Sequence, residues 1–257
     1  MKSTSIHLSY FGYIIEFIIP QSGLKWQEQM VHLFRKNFAG YIPSQQVKKI
    51  VNRKIEFIAS KQVPLSSKAF VYIVPLTGAL LKKKVFGQLL REILITSLLA
   101  LTKSNDGTCL HASSVVRNNK AILFVGKSRS GKSTICDQLS PTYTQLTDDI
   151  SFIVYKKNAW WTCQIPLFEK KVPLRRRDNS SEYKVIGLCF LEQSASNSIT
   201  KIENIADVLP VIIENTFYVD GSDQLSFVHL LVSKIPLYRI RFKMGRTIGK
   251  LFAEKNL

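Results

Sequence analysis

The chain has 257 residues, of which 46% are hydrophobic and 11% aromatic, enough apolar matter for one large domain or for a core carrying a smaller lobe. That balance excludes a disordered or low-complexity chain, and no internal repeat is present. The 36 Lys and Arg exceed the 18 Asp and Glu by 18, which favours anionic partners. No helix-turn-helix, zinc-finger, RNP-type or KH-type pattern accompanies the charge, so nucleic acid is not the expected partner.

The basic clusters are Lys82–Lys84, Lys156 with Lys157, Lys170–Arg177 and Arg239–Lys250, and a solvated surface accounts for them as readily as a partner does. Cys109, Cys136, Cys163 and Cys189 form no CxxC pair and have no His at ligand spacing, so neither a zinc site nor a disulfide framework is expected. Buried free thiols are the simpler reading. Two apolar stretches fall short of membrane signals. Tyr10–Pro20 is short, carries Glu16 and lacks a basic leader, and Phe86–Leu101 is interrupted by Arg91 and Glu92. A cytoplasmic protein without membrane association is expected.

In chain order, residues 8–19 (LSYFGYIIEFII) mix aromatic and β-branched residues up to Pro20 and predict one strand. Trp26–Phe38 shows helical spacing, and Ile55–Ile58 and Ala69–Val74 are shorter strand candidates. Residues 1–83 are therefore expected to form a small α/β lobe, with 84–257 as the main domain. Lys84–Thr102 predicts a helix stopped by Ser104-Asn105-Asp106-Gly107. Thr108–Val116 and Ala121–Val125 then predict two strands joined as a hairpin by Arg117-Asn118-Asn119-Lys120. Ser133–Leu139 opens a helix. A further strand ends near Leu146, and Ile150–Tyr155 continues beyond Asp148-Asp149. Val185–Leu191 predicts a strand, Ile205–Glu214 a helical segment, and Leu237–Phe242 a last strand after the apolar run Val228–Ile235 and Pro236. The final fifteen residues are basic, with no defined element.

Gly126-Lys127-Ser128-Arg129-Ser130-Gly131-Lys132-Ser133 matches GxxxxGK[ST], and it lies between a predicted strand and a predicted helix, where a phosphate-binding loop belongs. In such a loop the backbone amides from Gly126 to Thr134 converge on phosphate oxygens, and the helix start adds partial positive charge. Lys132 would reach the β- and γ-phosphates, and the Ser133 hydroxyl would join the coordination of Mg²⁺. The ligands implied are ATP and Mg²⁺. A plain Gly/Ser turn before a helix is the alternative reading.

Asp148 and Asp149 follow Lys132 by 16 and 17 residues, the length of one helix and a return strand, so their carboxylates can come back beside the loop. One would hold Mg²⁺, and the other would accept the proton of an attacking hydroxyl. Elsewhere such a pair would be read as a cap or turn. His111, taken alone, would be a satisfied core or edge histidine. Arg175, Arg176 and Arg177 follow Pro173, where they could clamp a triphosphate or a carboxylate, or simply face solvent.

The run Leu110-His111-Ala112-Ser113-Ser114-Val115, the loop GKSRSGKST and the later Leu146-Thr147-Asp148-Asp149 resemble the HPr kinase/phosphorylase family and its shorter relatives. The similarity is clear over residues 108–155. The resemblance implies a mixed α/β fold with a P-loop core of the phosphoenolpyruvate carboxykinase type. It implies Lys132 and Ser133 as phosphate and metal ligands, Asp148 with Asp149 as the metal and base pair, and His111 near the transferring phosphoryl group. Ile235-Pro236-Leu237-Tyr238-Arg239-Ile240 is similar to small kinases encoded beside ribosomally made peptides, among them modifiers of lasso-peptide precursors that phosphorylate a C-terminal serine.

Two departures matter. Arg129 stands where the family has Gly, and it either strains the backbone, if φ is positive there, or adds a phosphate contact. No copy of the C-terminal segment used for phosphorolysis is found, so kinase activity alone is implied. The expected protein is an ATP-dependent Ser kinase for a peptide or small protein. A small-molecule phosphotransferase and a nucleotide-binding regulatory module stay open, as does the oligomeric state, a homo-oligomer included.

Overall fold

A computed structural model describes residues 4–10, 13–19, 24–38, 42, 53–58, 70–73, 94–98, 107–165, 182–217, 224–243, 248–255 and 257. The chain divides into two units, residues 1–97 with 178–180, and residues 98–177 with 181–257.

In the first unit, β1 (Thr4–Tyr10) and β2 (Tyr13–Ile19) pair antiparallel from Thr4↔Ile19 to Tyr10↔Tyr13. The single strand expected over residues 8–19 is therefore a hairpin. Only two residues separate the paired Tyr10 and Tyr13. β3 (Arg53–Ile58) adds parallel to β2, and β4 (Phe70–Ile73) parallel to β3, in the order β1-β2-β3-β4. Helix α1 (Leu24–Phe38) buries Met30, Phe34 and Phe38, spaced four apart on one face. The Phe34 ring lies 4.9 Å from that of Phe17 on β2. Residues 94–98 form α2, the described part of the helix expected over 84–102, whose other residues lie outside the described set.

The second unit is built on a nine-stranded mixed sheet. β5 (Gly107–Arg117) and β6 (Lys120–Val125) form the expected hairpin, turning at Asn118 and Asn119 with φ of 49° and 60°. Asn tolerates this left-handed region, and two such residues make the turn that matches the twist of paired strands. After β6 come helix α3 (Lys132–Leu139), β7 (Thr144–Thr147), β8 (Ile150–Lys156) and β9 (Ala159–Cys163). β10 (Glu182–Gln193), β11 (Ser198–Lys201), a 3₁₀ turn (Ile205–Asp207), α4 (Leu209–Glu214) and β12 (Thr216–Phe217) follow. The chain ends in α5 (Gln224–Lys234), β13 (Leu237–Phe242) and α6 (Gly249–Glu254).

The strand order is β11-β13-β10-β6-β5-β8-β9, with β7 and β12 also paired to β5. β6, β10 and β13 run parallel, so their carboxyl ends, at Val125, Gln193 and Phe242, point the same way. β9 pairs with the first residues of β10 as well as with β8, which curls the sheet back on itself. Alternation along the strands divides two apolar layers. One joins Leu110, Leu123, Val125 and Leu188 to Ile212 of α4 and Leu231 of α5. The other joins Val115, Ile122 and Phe124 to Ile135 and Leu139 of α3 and Phe252 of α6. The C-terminal stretch expected to lack an element thus holds a helix, pinned because Phe252 is fully buried.

All four cysteines are free and buried, as expected. Desolvation pushes the thiols of Cys109, Cys163 and Cys189 well up from their ordinary range, so they hold their protons. Among the described residues no helix is long and apolar enough to cross a membrane.

Candidate functional site

The loop begins where β6 ends. Beyond Val125, the Ser130 amide donates to the Lys127 carbonyl at 3.1 Å, and the Ile135 amide to the Gly131 carbonyl at 2.9 Å opens α3. Gly131 sits at φ 99°, and a side chain there would run into the Phe242 ring at the end of β13. A Cβ on Gly126 would lie 2.6 Å from Ser130 Oγ. Gly131 is thus demanded by both its backbone and close approach, whereas at Gly126 the Ser130 side chain would have to turn aside. No side chain caps the start of α3, so its first amides face the loop unclaimed by a cap.

Arg129 has φ 67°, which resolves one part of the sequence question: the backbone is left-handed at a residue with a Cβ. Such a residue costs about 1–2 kcal/mol, a strain that the rest of the loop must hold. Lys132 is only 8% exposed, and its ammonium donates to the Gly126 carbonyl at 2.7 Å and the Lys127 carbonyl at 3.2 Å. The cation therefore lies curled within the loop. Ser130 Oγ is buried and has no hydrogen-bond partner among the described residues. A tight cradle, a buried cation and an orphaned hydroxyl together fit a polyphosphate.

Strand register brings the other predicted residues to the same edge. Ala112 pairs with Val125, so His111, one residue further along β5, lies alongside Gly126. On the other side of β5, His111 pairs with Ile150, which places Asp149 next to it. The His111 Nε2 and Asp149 Oδ1 atoms are 2.7 Å apart, both side chains being partly buried. With the carboxylate ionised, the imidazole N–H donates and its tautomer is set by that bond. Asp148 is buried at the same interruption between β7 and β8. The His111 amide donates to the Asn215 carbonyl at 2.7 Å, and Lys127 meets Glu214 at 3.7 Å, so the end of α4 borders the loop.

Sequence reasoning assigned no role to Glu214, Asn215 or Phe242, nor to the hydroxyls of Ser113, Ser114, Thr147 and Ser151 around the Asp pair. Ser113, Ser114 and Thr147 lie in the very runs that carry the family resemblance, which is the signal that could have found them. Arg175, Arg176 and Arg177 lie outside the described residues, as do Lys82–Lys84 and Lys170–Lys171. Among the described residues no three of His, Cys, Asp and Glu gather as a metal site. A cavity of about 200 Å³ lined by Arg117, Lys120 and Tyr143 lies at the hairpin end of β5 and β6, remote from the loop.

The fold is thus a mixed α/β sheet with the GxxxxGK[ST] sequence at the carboxyl edge of its parallel strands. The model of the family described as SynChlorMet cassette protein ScmC matches residues 84–215, slightly more than half of the chain, and the chain belongs to that family. The curated proteins include no match. Among solved structures, the Hpr(Ser) kinase/phosphatase from Coxiella burnetii aligns with 58% of this chain and 95% of its own, at 12% identity and a TM-score of 0.36.

Proposed function

We propose that residues 84–257 form the core of an ATP-dependent kinase that transfers the γ-phosphoryl group to a serine hydroxyl of a peptide or small protein, the C-terminal serine of a lasso-type precursor being the favoured acceptor. The observation that carries this reading is the alignment across three adjacent strands, with the loop after β6, His111 on β5 and Asp149 before β8. A phosphate cradle and a proton acceptor side by side are what phosphoryl transfer to a hydroxyl requires.

Each residue then has a task. The amides from Gly126 to Thr134 hold the triphosphate, and Lys132 exchanges its two carbonyl partners for β- and γ-oxygens. Mg²⁺, held by Ser133 and Asp148, would neutralise charge on the phosphates and orient them. Asp149 accepts the serine proton as the hydroxyl oxygen bonds to the γ-phosphorus and the bond to the ADP oxygen breaks. His111, bonded to one oxygen of that carboxylate, fixes its orientation.

Incubation with γ-labelled ATP, Mg²⁺ and a short precursor peptide ending in Ser tests this directly. Label should appear on the peptide, and Asp149→Asn should lower kcat by about 10²- to 10⁴-fold with nucleotide binding retained. Lys132→Ala should abolish both binding and turnover. Label confined to small metabolites, or binding without turnover, would overturn the peptide-kinase assignment.

A further inference from the structure

Between the pairs Ser114↔Thr147 and His111↔Ile150, the strand ladder is broken. Ala112 and Ser113 on β5 face Asp148 and Asp149, which belong to neither β7 nor β8. Buried groups that lose a ladder partner must find another. Here side-chain hydroxyls take over. Ser113 donates to the Asp148 carbonyl at 2.5 Å. Ser151 donates to the Ala112 carbonyl at 2.9 Å. Thr147 Oγ1 lies 2.7 Å from Ser151 Oγ and 2.7 Å from Ser114 Oγ.

Thr147 Oγ1 also donates to the Ala112 carbonyl at 3.4 Å, so Thr147 and Ser151 both reach the main chain of the residue after His111, and the hydroxyls of Ser114, Thr147 and Ser151 form one connected cluster on it. All three hydroxyl residues, with Ser113, are 0–1% exposed, so bulk water does not compete for these bonds and the loss of one hydroxyl takes a bond from its neighbours.

We infer that Thr147 is a positioning residue for the His111–Asp149 pair: its hydroxyl, with that of Ser151, replaces the broken ladder and holds the two strands at the spacing that lets the pair meet. Thr147 does not touch the reacting atoms. It acts through the backbone of the residues on either side, and a displacement of about 1 Å at such a site can cost about 10²-fold in rate. This inference rests on the kinase reading for its catalytic consequence, though not for its geometry.

The test is Thr147→Val, which keeps the shape and removes the hydroxyl, with Thr147→Ser as the conservative rescue. Two readouts are needed: steady-state kinetics with ATP and the Ser-ending peptide, and the His111 Nε2–H signal in ¹⁵N-histidine-labelled full-length protein. Thr147→Val should lower kcat by about 10- to 100-fold with KM for ATP nearly unchanged. It should also lose the Nε2–H signal, and Thr147→Ser should restore both. Ser151→Ala, which removes the shorter of the two hydroxyl bonds to the Ala112 carbonyl, is scored in the same way and serves if Thr147→Val fails to fold. Wild-type protein that turns over no ATP, with the N–H signal still lost in Thr147→Val and regained in Thr147→Ser, would sink the kinase reading and leave the positioning intact. Wild-type turnover with an unchanged signal and unchanged kcat in both variants would overturn the positioning alone.

Discussion

The two ends of β6 use the same unusual backbone for different ends. At its start, Asn118 and Asn119 take positive φ to close a hairpin, and Lys157 and Asn158 do the same between β8 and β9 at 51° and 57°. Past its other end, Arg129 and Gly131 are left-handed within the loop that leads into α3. Three of the four hairpin positions are Asn, whose short polar side chain tolerates the conformation, so those turns hold little strain. The loop puts a long cationic side chain in the same region, and only Gly131 fits beside Phe242. Local conformational preference suffices to form the hairpins. The loop is held by its surroundings, which is what a ligand cradle requires.

Three substitutions probe that contrast. Gly131→Ala should have the largest effect, combining a left-handed alanine with a clash against the buried Phe242 ring. A loss of about 3 kcal/mol in denaturant unfolding is expected, together with loss of nucleotide binding by calorimetry. Arg129→Gly should relieve strain and raise stability by about 1 kcal/mol in the same unfolding measurement. Unchanged nucleotide affinity in that variant would assign Arg129 to strain alone, whereas a weaker affinity would reveal a phosphate contact. Asn119→Gly should raise stability by at most about 0.5 kcal/mol and leave turnover unaltered, since Asn already accepts the turn geometry. A marked fall in turnover there would break the separation between the two ends.

The parts of the fold that could be read in advance were those with local signals. Asn118-Asn119 between two apolar runs marks the β5–β6 hairpin, and the glycine spacing after Val125 marks the loop. β9 escaped because Lys157-Asn158 is a weaker turn signal and Trp160 and Trp161 stand in a short strand that periodicity alone does not separate from a loop. β11 and β12 have four and two residues and exist only through their partners β13 and β5. α6 was obscured by basic residues around the single deeply buried Phe252.

The site divides in the same way. Lys132, Asp148 and Asp149 carry a spacing that chemistry interprets, and His111 entered through the resemblance. The resemblance could have pointed to Ser114 and Thr147, but the hydroxyl cluster itself could not be seen, because it forms only once register brings Ser114 beside Thr147, more than thirty positions away.

The curl of the main sheet has a consequence for its borders. Because β9 is bonded to β8 along one side and, through Trp161, Thr162 and Cys163, to the beginning of β10 along the other, most of its main chain is already paired at what would otherwise be a free border. At the opposite limit of the strand path stands β11, four residues long, too brief a template for a foreign strand to extend. Along the described strand path the sheet thus leaves little unpaired main chain at either limit.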